Sequence, residues 1–501
     1  MGIQQLLLGT SKGGVDPVDF VKLGISGAGG GDTISVHYGE DGSIYHFNTT
    51  GSWKAVKMDA AGELVWSKKF SSHGAGTIRG MAIGQNDIQV YVGHHANNVN
   101  LWALSKDGAL LWTKRWNIDH SSDTNAGSTF YNHSGSGWVR SVRNADIGVL
   151  LIEPYNVDSS GGSYEHRAPI MLSFKMSDGT KIGWGGVRSN QNQTIPATEI
   201  RDFAICLDDD ATTGYFSIIS RYSLRSETGW KELHRIKGSF YTADHSGDKN
   251  IDFPSSASYV QSSTGHVGLE SARRGMDVIP TYSGSNIDSG TLIVGKHVNN
   301  QIAFVNNSWT SSWRSYGSSL NGAFWISCCA KDPSDSSVFY MGIQNERNGV
   351  GYSTCVLTKI TGTTVTWSKE LKTNSTHSDF NGNSGYMTMY PRDIVVHPTN
   401  GKAIFFIKPN GIPYVMCQFD TGSTAPANGT YSLGTYAGGT VTIVISDFSG
   451  GGTSSLGNAN SYNNNFTVMG DSDEYEPASV SWSSGTVTDA TAPTYGGEEW
   501  D

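Results

Sequence analysis

Five arginines stand in one recurring phrase: Ile78-Arg79-Gly80-Met81, Val139-Arg140-Ser141-Val142, Ile200-Arg201-Asp202-Phe203, Arg273-Arg274-Gly275-Met276 and Pro391-Arg392-Asp393-Ile394. A guanidinium pairs bidentately with carboxylates and phosphates, so Arg79, Arg140, Arg201, Arg274 and Arg392 brought to one mouth would bind an anionic ligand. The structural alternative is that each arginine bonds carbonyls of the adjoining repeat, or a carboxylate such as Asp202, Asp277 or Asp393. Motif positions in repeats are mostly packing solutions, which favours that alternative. Cys328-Cys329 is the other reactive pair; adjacent residues of a strand face opposite sides, which makes them two packed thiols. Asp208-Asp209-Asp210 lacks the spaced carboxylates and glycine of a calcium loop and reads as a hairpin tip. His73, His94, His95, His120 and His133 share no metal-ligand spacing, and no G-x-S-x-G, P-loop or H-E-x-x-H occurs. No catalytic residue, metal or cofactor follows from these residues.

The elements that must position the arginines are set by their period. The steps between them are 61, 61, 73 and 118 residues. The last is close to two periods, with a copy lacking arginine at Ile326-Ser327-Cys328-Cys329-Ala330. Another such copy, Asp32-Thr33-Ile34-Ser35-Val36, precedes the first, giving seven units. The second unit shows the plan: Gly80 to Ile83, Ile88 to Val92, Asn100 to Leu104, the Asp107-Gly108 turn, and Leu110 to Trp116. These are four short strands joined by hairpins. The first unit supplies Ile34 to Tyr38, Ile44 to Phe47, Trp53 to Met58 and Leu64 to Phe70.

A closing phrase ends these units: Gly62 and Gly108 are each followed four residues later by Trp66 and Trp112. It returns as Asp178-Gly179 with Trp184 and as Gly362 with Trp367. In the seventh unit Ala403 to Ile407 and Tyr414 to Phe419 precede a glycine-rich insertion and the run Val441 to Ile445, and the fourth strand is not assigned. With 62 glycines, few charges and no sustained helical period, the composition is all-β. The expected fold is a seven-bladed β-propeller of four-stranded antiparallel blades, with an extended N-terminal arm and a C-terminal tail. Its boundaries are 1–31 for the arm, 32–449 for the propeller and 450–501 for the Gly/Ser/Asn-rich acidic tail, with islands of strand at Phe466 to Met469 and Val480 to Trp482.

The closing phrase, from Lys57-Met58-Asp59 to Trp66 and from Lys175-Met176-Ser177-Asp178-Gly179 to Trp184, resembles the tryptophan-docking repeats of quinoprotein-like propellers. That resemblance implies the fold; activity must be argued from a site. Quinoprotein dehydrogenases of the methanol-oxidising type carry a vicinal disulfide, to which Cys328-Cys329 would correspond. They also need a calcium site and a catalytic aspartate, for which this chain offers no assignable residues. A quinoprotein-like or carbohydrate-active enzyme is therefore the alternative reading, and a cytoplasmic scaffold a third.

Five cysteines without C-x-x-C spacing read as buried free thiols. A formal charge of -10 spread thinly excludes non-specific nucleic-acid binding, and Leu6-Leu7-Leu8 is too short for a membrane span. The opening Met1-Gly2-Ile3-Gln4-Gln5-Leu6-Leu7-Leu8-Gly9 resembles the leader of tail-associated virion proteins of marine tailed bacteriophages. That resemblance implies a virion protein assembled in the host cytoplasm in multiple copies. Ile3, Leu6, Leu7 and Leu8 would anchor it, the arm and tail would tie it to other virion proteins, and the loops would meet those proteins or a host-surface glycan.

Overall fold

The computed structural model describes residues between Phe20 and Gly496, apart from connecting segments of which 262–280 is the longest. The described residues are overwhelmingly strand, with one 3-10 turn at Gln85–Asp87. Six stretches of the chain each fold back on themselves into a meander of three or four antiparallel strands. The first sheet runs Thr33–Tyr38, Ile44–Asn48, Lys54–Met58, Leu64–Phe70, and the second Thr77–Ile83, Gln89–His95, Asn98–Leu104, Leu110–Asn117. The third opens with Ser128–Val142, the fourth with Thr198–Leu207, the fifth with Leu292–Lys296 and the sixth with Phe324–Lys331. A seventh starts at Met389–Val396 and continues through Lys402–Pro409 and Tyr414–Asp420.

Second and third strands read as unbroken apolar runs because both their faces are covered. Val149, Leu150, Leu151 and Ile152 are all fully buried, as are Ile404 to Ile407, and alternate residues enter the clusters on opposite sides of the sheet. At roughly 25 cal/mol per Å² of apolar surface removed from water, this double burial is the main driving force. The opening strands lie side by side in chain order. Thr33–Tyr38 neighbours Thr77–Ile83, which neighbours Ser128–Val142 and then Thr198–Leu207. Leu292–Lys296 neighbours Phe324–Lys331, then Met389–Val396, and the latter lies against Thr33–Tyr38. The last sheet therefore meets the first.

Two placements differ from the sequence reading. The fourth strand of the seventh sheet is Phe20–Ser26, from the stretch expected as an arm; it pairs with Tyr414–Asp420 from Phe20 opposite Gln418 to Gly24 opposite Tyr414. The run Val441 to Ile445, expected within the seventh unit, lies in Gly439–Asp447 and extends the sixth sheet instead, with Lys369 opposite Asp447 and Ser375 opposite Val441. Gly429–Tyr436 pairs outside it. The physical reason is burial: Tyr431, Leu433, Val441, Ile443 and Ile445 complete the apolar cluster between the sixth and seventh sheets.

Beyond residue 449 the chain revisits the sheets in descending order. Thr453–Ala459 pairs with the outer strand of the fifth, Ser461–Asn465 with the fourth, and Thr467–Val468 with the third. Ala478–Val480 follows on the second, Val487–Asp489 on the first, and Thr494–Gly496 on Phe20–Ser26 of the seventh. Each pairing is antiparallel and satisfies backbone groups on an edge that would otherwise recruit other chains.

Candidate functional site at the opening strands

The repeated arginine phrase lies on the opening strands, at the contacts between neighbouring sheets. In most of them the register slips by one residue at the arginine position: between Ile78 and Gly80, between Ile200 and Asp202, and between Pro391 and Asp393. The copies without arginine slip too, between Ile326 and Cys328 and between Thr33 and Val36. The phrase is therefore a β-bulge, which leaves one residue out of the ladder and re-aims its side chain. Arg140 is the exception, paired in register with Val149.

The described arginines are engaged by the protein itself. The Nε of Arg140 donates to the Phe203 carbonyl of the fourth sheet at 3.1 Å, and one terminal nitrogen donates to the Val139 carbonyl at 3.1 Å. Its guanidinium stands 5.3 Å from the centre of the Phe203 ring. Ser141 donates to the Ile83 carbonyl of the second sheet at 2.5 Å, so two consecutive residues stitch three opening strands together. Arg392 lies 5.7 Å from the Tyr390 ring. It also bears on Cys355, whose pKa burial drives well above the usual thiol value, helped by Cys328 and Cys417 and opposed by Arg392. Arg79 and Arg201 occupy the bulges of their strands, with side chains outside the described residues, and Arg274 lies wholly outside them, as do Ile3, Leu6, Leu7 and Leu8.

The sequence offered Asp393 as one carboxylate that an arginine could bond; its carboxylate accepts the backbone N–H of Val36 across the junction of the first and seventh sheets at 3.0 Å, and that of Ile394 at 3.0 Å. An aspartate accompanies three of the five arginines in the sequence, but the Val36 N–H that Asp393 accepts lies 357 residues away. Cys328 and Cys329 are both buried thiols not joined in a disulfide, and of the two Cys328 enters the cluster facing the seventh sheet. Asp208 and Asp210 accept backbone N–H groups of Thr213 and Thr212 at a hairpin tip. Among the described residues no group of three or more His, Cys, Asp or Glu side chains is placed to hold a metal ion.

The closing phrase forms the other contact between sheets. Trp66 donates its indole N–H to the Lys106 carbonyl of the second sheet at 3.1 Å, and Trp112 to the Met176 carbonyl of the third at 2.8 Å. The receiving turns need glycine: Gly108 and Gly179 have φ of +77° and +71°, and a Cβ on Gly179 would lie 2.8 Å from Trp112. On the sixth sheet Lys359 and Tyr340 both donate to the Thr421 carbonyl of the seventh, at 2.7 and 2.9 Å. Burial pulls the Lys359 pKa down, and Asp332 and Asp335 oppose the shift.

Neither a family model nor a curated protein matches this chain. Among solved structures, the chain is similar to an α-L-arabinofuranosidase from Fusarium graminearum at 10% identity, with 69% of this chain and 98% of that one covered and a TM-score of 0.36. It is similar to YCF48 bound to D1 peptide at 8% identity, with 82% and 100% covered and a TM-score of 0.34. The WD40 domain of SCAP from fission yeast aligns at 8% identity, with 78% and 96% covered and a TM-score of 0.30. At these values the architecture rests on the strand pairing above, and none of the three lends this chain its activity.

Proposed function

We propose that this chain is a structural protein of a tailed bacteriophage particle, tail- or fibre-associated, whose seven-bladed β-propeller is a rigid platform for contact with neighbouring virion proteins or a host-surface glycan. The observation that carries the reading is the course of the two ends. The C-terminal segment straps the outer edges, and its last strand, Thr494–Gly496, pairs with Phe20–Ser26 on the outer edge of the last sheet. The residues before Phe20 carry the Gln4-Gln5-Leu6-Leu7-Leu8-Gly9 sequence that resembles virion leaders. A ring with covered edges offers its loops for binding while one terminus tethers it. The arginine phrase then serves as stitching, with anion binding the competing role for its members.

Deletion of residues 2–18 tests the reading, because it spares the strand beginning at Phe20. The shortened chain folds with an unchanged melting temperature and is missing from particles in which mass spectrometry finds the full chain. Equal incorporation of both forms overturns the anchoring role. Turnover of a glycoside, or calcium-dependent dye reduction by the purified protein, replaces the reading with an enzymatic one.

A further inference from the structure

The junction between the seventh and first sheets is built differently from its neighbours. At the junctions of the first sheet with the second, the second with the third and the sixth with the seventh, a tryptophan or lysine of one sheet docks on a turn carbonyl of the next. The seventh sheet takes its fourth strand from the N-terminus, so it has neither the glycine turn nor the tryptophan: Phe20–Ser26 reads Phe-Val-Lys-Leu-Gly-Ile-Ser. In their place are two histidines. His46, on the second strand of the first sheet, is 1% exposed, with Nε2 3.3 Å from the Tyr414 hydroxyl and its ring against Phe406 and Tyr414. His397, 5% exposed, accepts the backbone N–H groups of Thr399 and Asn400 on Nδ1, both at 3.1 Å, while its ring meets Tyr38 edge-on at 5.0 Å.

We propose that this junction is an acid-sensitive latch: protonation of His46 and His397 parts the first sheet from the seventh while the other junctions stay closed. An Nδ1 that accepts two N–H bonds carries no proton, so protonating it there dismantles the turn at 397–401. His46 stands opposite Val36 and Val56 with its ring against Phe406 and Tyr414, all four members of one buried cluster, where an imidazolium would be poorly solvated. Burial accordingly lowers its pKa to about 3. The ionisable groups facing the pair are Tyr38 from the first sheet, Tyr414 from the third strand of the seventh, and Asp393 from the opening strand of the seventh. Tyr38 donates to Gln418 at 3.4 Å, Asp393 holds the Val36 N–H, and Lys402, beyond the 397–401 turn, is paired with Asp420 at 2.7 Å.

The sign follows from His46. Its pKa is depressed in the closed junction relative to a free imidazole near 6.5, so the open form takes the proton first. Closure is at full strength above about pH 6.5 and is lost progressively as the pH falls toward 3. Between pH 7 and 5.5 the opening equilibrium rises roughly eightfold through His46.

Hydrogen exchange measured by mass spectrometry on the full chain, corrected for intrinsic rates, tests this. Peptides covering 33–38 exchange roughly eightfold or more faster at pH 5.5 than at pH 7, while those covering 98–104 in the second sheet do not change. The double variant His46→Gln, His397→Asn keeps a donor for Tyr414 and an acceptor for the turn, and it abolishes the difference. Should the double variant fold poorly, each single variant removes part of the difference. Equal acceleration of both regions in the wild-type chain, or an undiminished pH response in the variants, overturns the latch. Residues 2–18 take no part, so this result and that of the leader deletion are independent.

Discussion

In the first and second sheets the two repeated phrases occupy opposite ends of the meander and use the same device, a bulge, to different ends. On the closing strands the extra residue falls just before the tryptophan: Val65 between the Lys57–Trp66 and Met58–Leu64 pairs, and Leu111 between Ala103–Trp112 and Leu104–Leu110. The bulge turns the indoles of Trp66 and Trp112 onto the glycine-containing turn of the next sheet, where each donates to a backbone carbonyl. On the opening strands the two arginines of the phrase with described side chains, Arg140 and Arg392, meet different neighbours. Arg140 meets two carbonyls and a phenylalanine ring, Arg392 meets a tyrosine ring and bears on the Cys355 thiol, and the first and sixth sheets manage without arginine.

The largest effect should come from the tryptophan. Trp112→Ala removes a 9%-exposed indole from the contact with Phe174 and Met176 and costs about 3 to 5 kcal/mol by urea denaturation. A cost under about 1 kcal/mol would show that the third sheet does not depend on the docked indole. The receiving turn comes next. Gly179→Ala combines a left-handed backbone with a Cβ in the face of Trp112, and should cost about 2 to 3 kcal/mol. Gly362 has a similar φ of +62° with nothing within 4 Å of its virtual Cβ. Gly362→Ala therefore isolates the backbone part, about 1 kcal/mol. Equal costs at the two glycines would remove docking from the explanation.

The opening strand gives less. Arg140→Met deletes two hydrogen bonds to carbonyls and the contact with Phe203 while keeping most of the stem, for a loss of about 1 to 2 kcal/mol. A neutral substitution that abolishes attachment or anion binding would hand the phrase back to function.

How far the sequence exposed this arrangement depends on whether a signal was local. Hairpin strands such as Ile44–Asn48 and Asn98–Leu104 were legible because alternation and turn residues lie within a few positions of one another. The closing phrase was legible for the same reason. Phe20–Ser26 was not, since nothing in its composition names Tyr414–Asp420 as a partner nearly four hundred residues on. The edge strands after 449 were harder still: Thr467–Val468 and Ala478–Val480 are two and three residues long and bind through backbone, which leaves little trace in side chains. The bulges were hidden because a register slip is a property of two strands, whereas a motif is read along one. His46 and Asp393 acquire their roles only once the first and last sheets meet.

The smallest predicted effect is the sharpest check on the difference between the phrases. Leu111 is the apolar residue beside Trp112, yet it is 44% exposed, and Val65 beside Trp66 is 53% exposed. If the closing phrase worked as an apolar pair, Leu111 and Trp112 would both matter. If the bulge exists to swing the indole inward, the residue it expels outward is free to be polar. Leu111→Ser should then change stability by no more than about 0.5 kcal/mol, since an exposed position has little apolar burial to lose and serine is compatible with an irregular strand. The measurement is a urea midpoint at an unchanged slope, set against Trp112→Ala in the same buffer. A loss approaching that of the tryptophan would mean that the outer surface near Leu111 and Leu110 is covered in the folded protein, and the closing strand would have two packed faces instead of one.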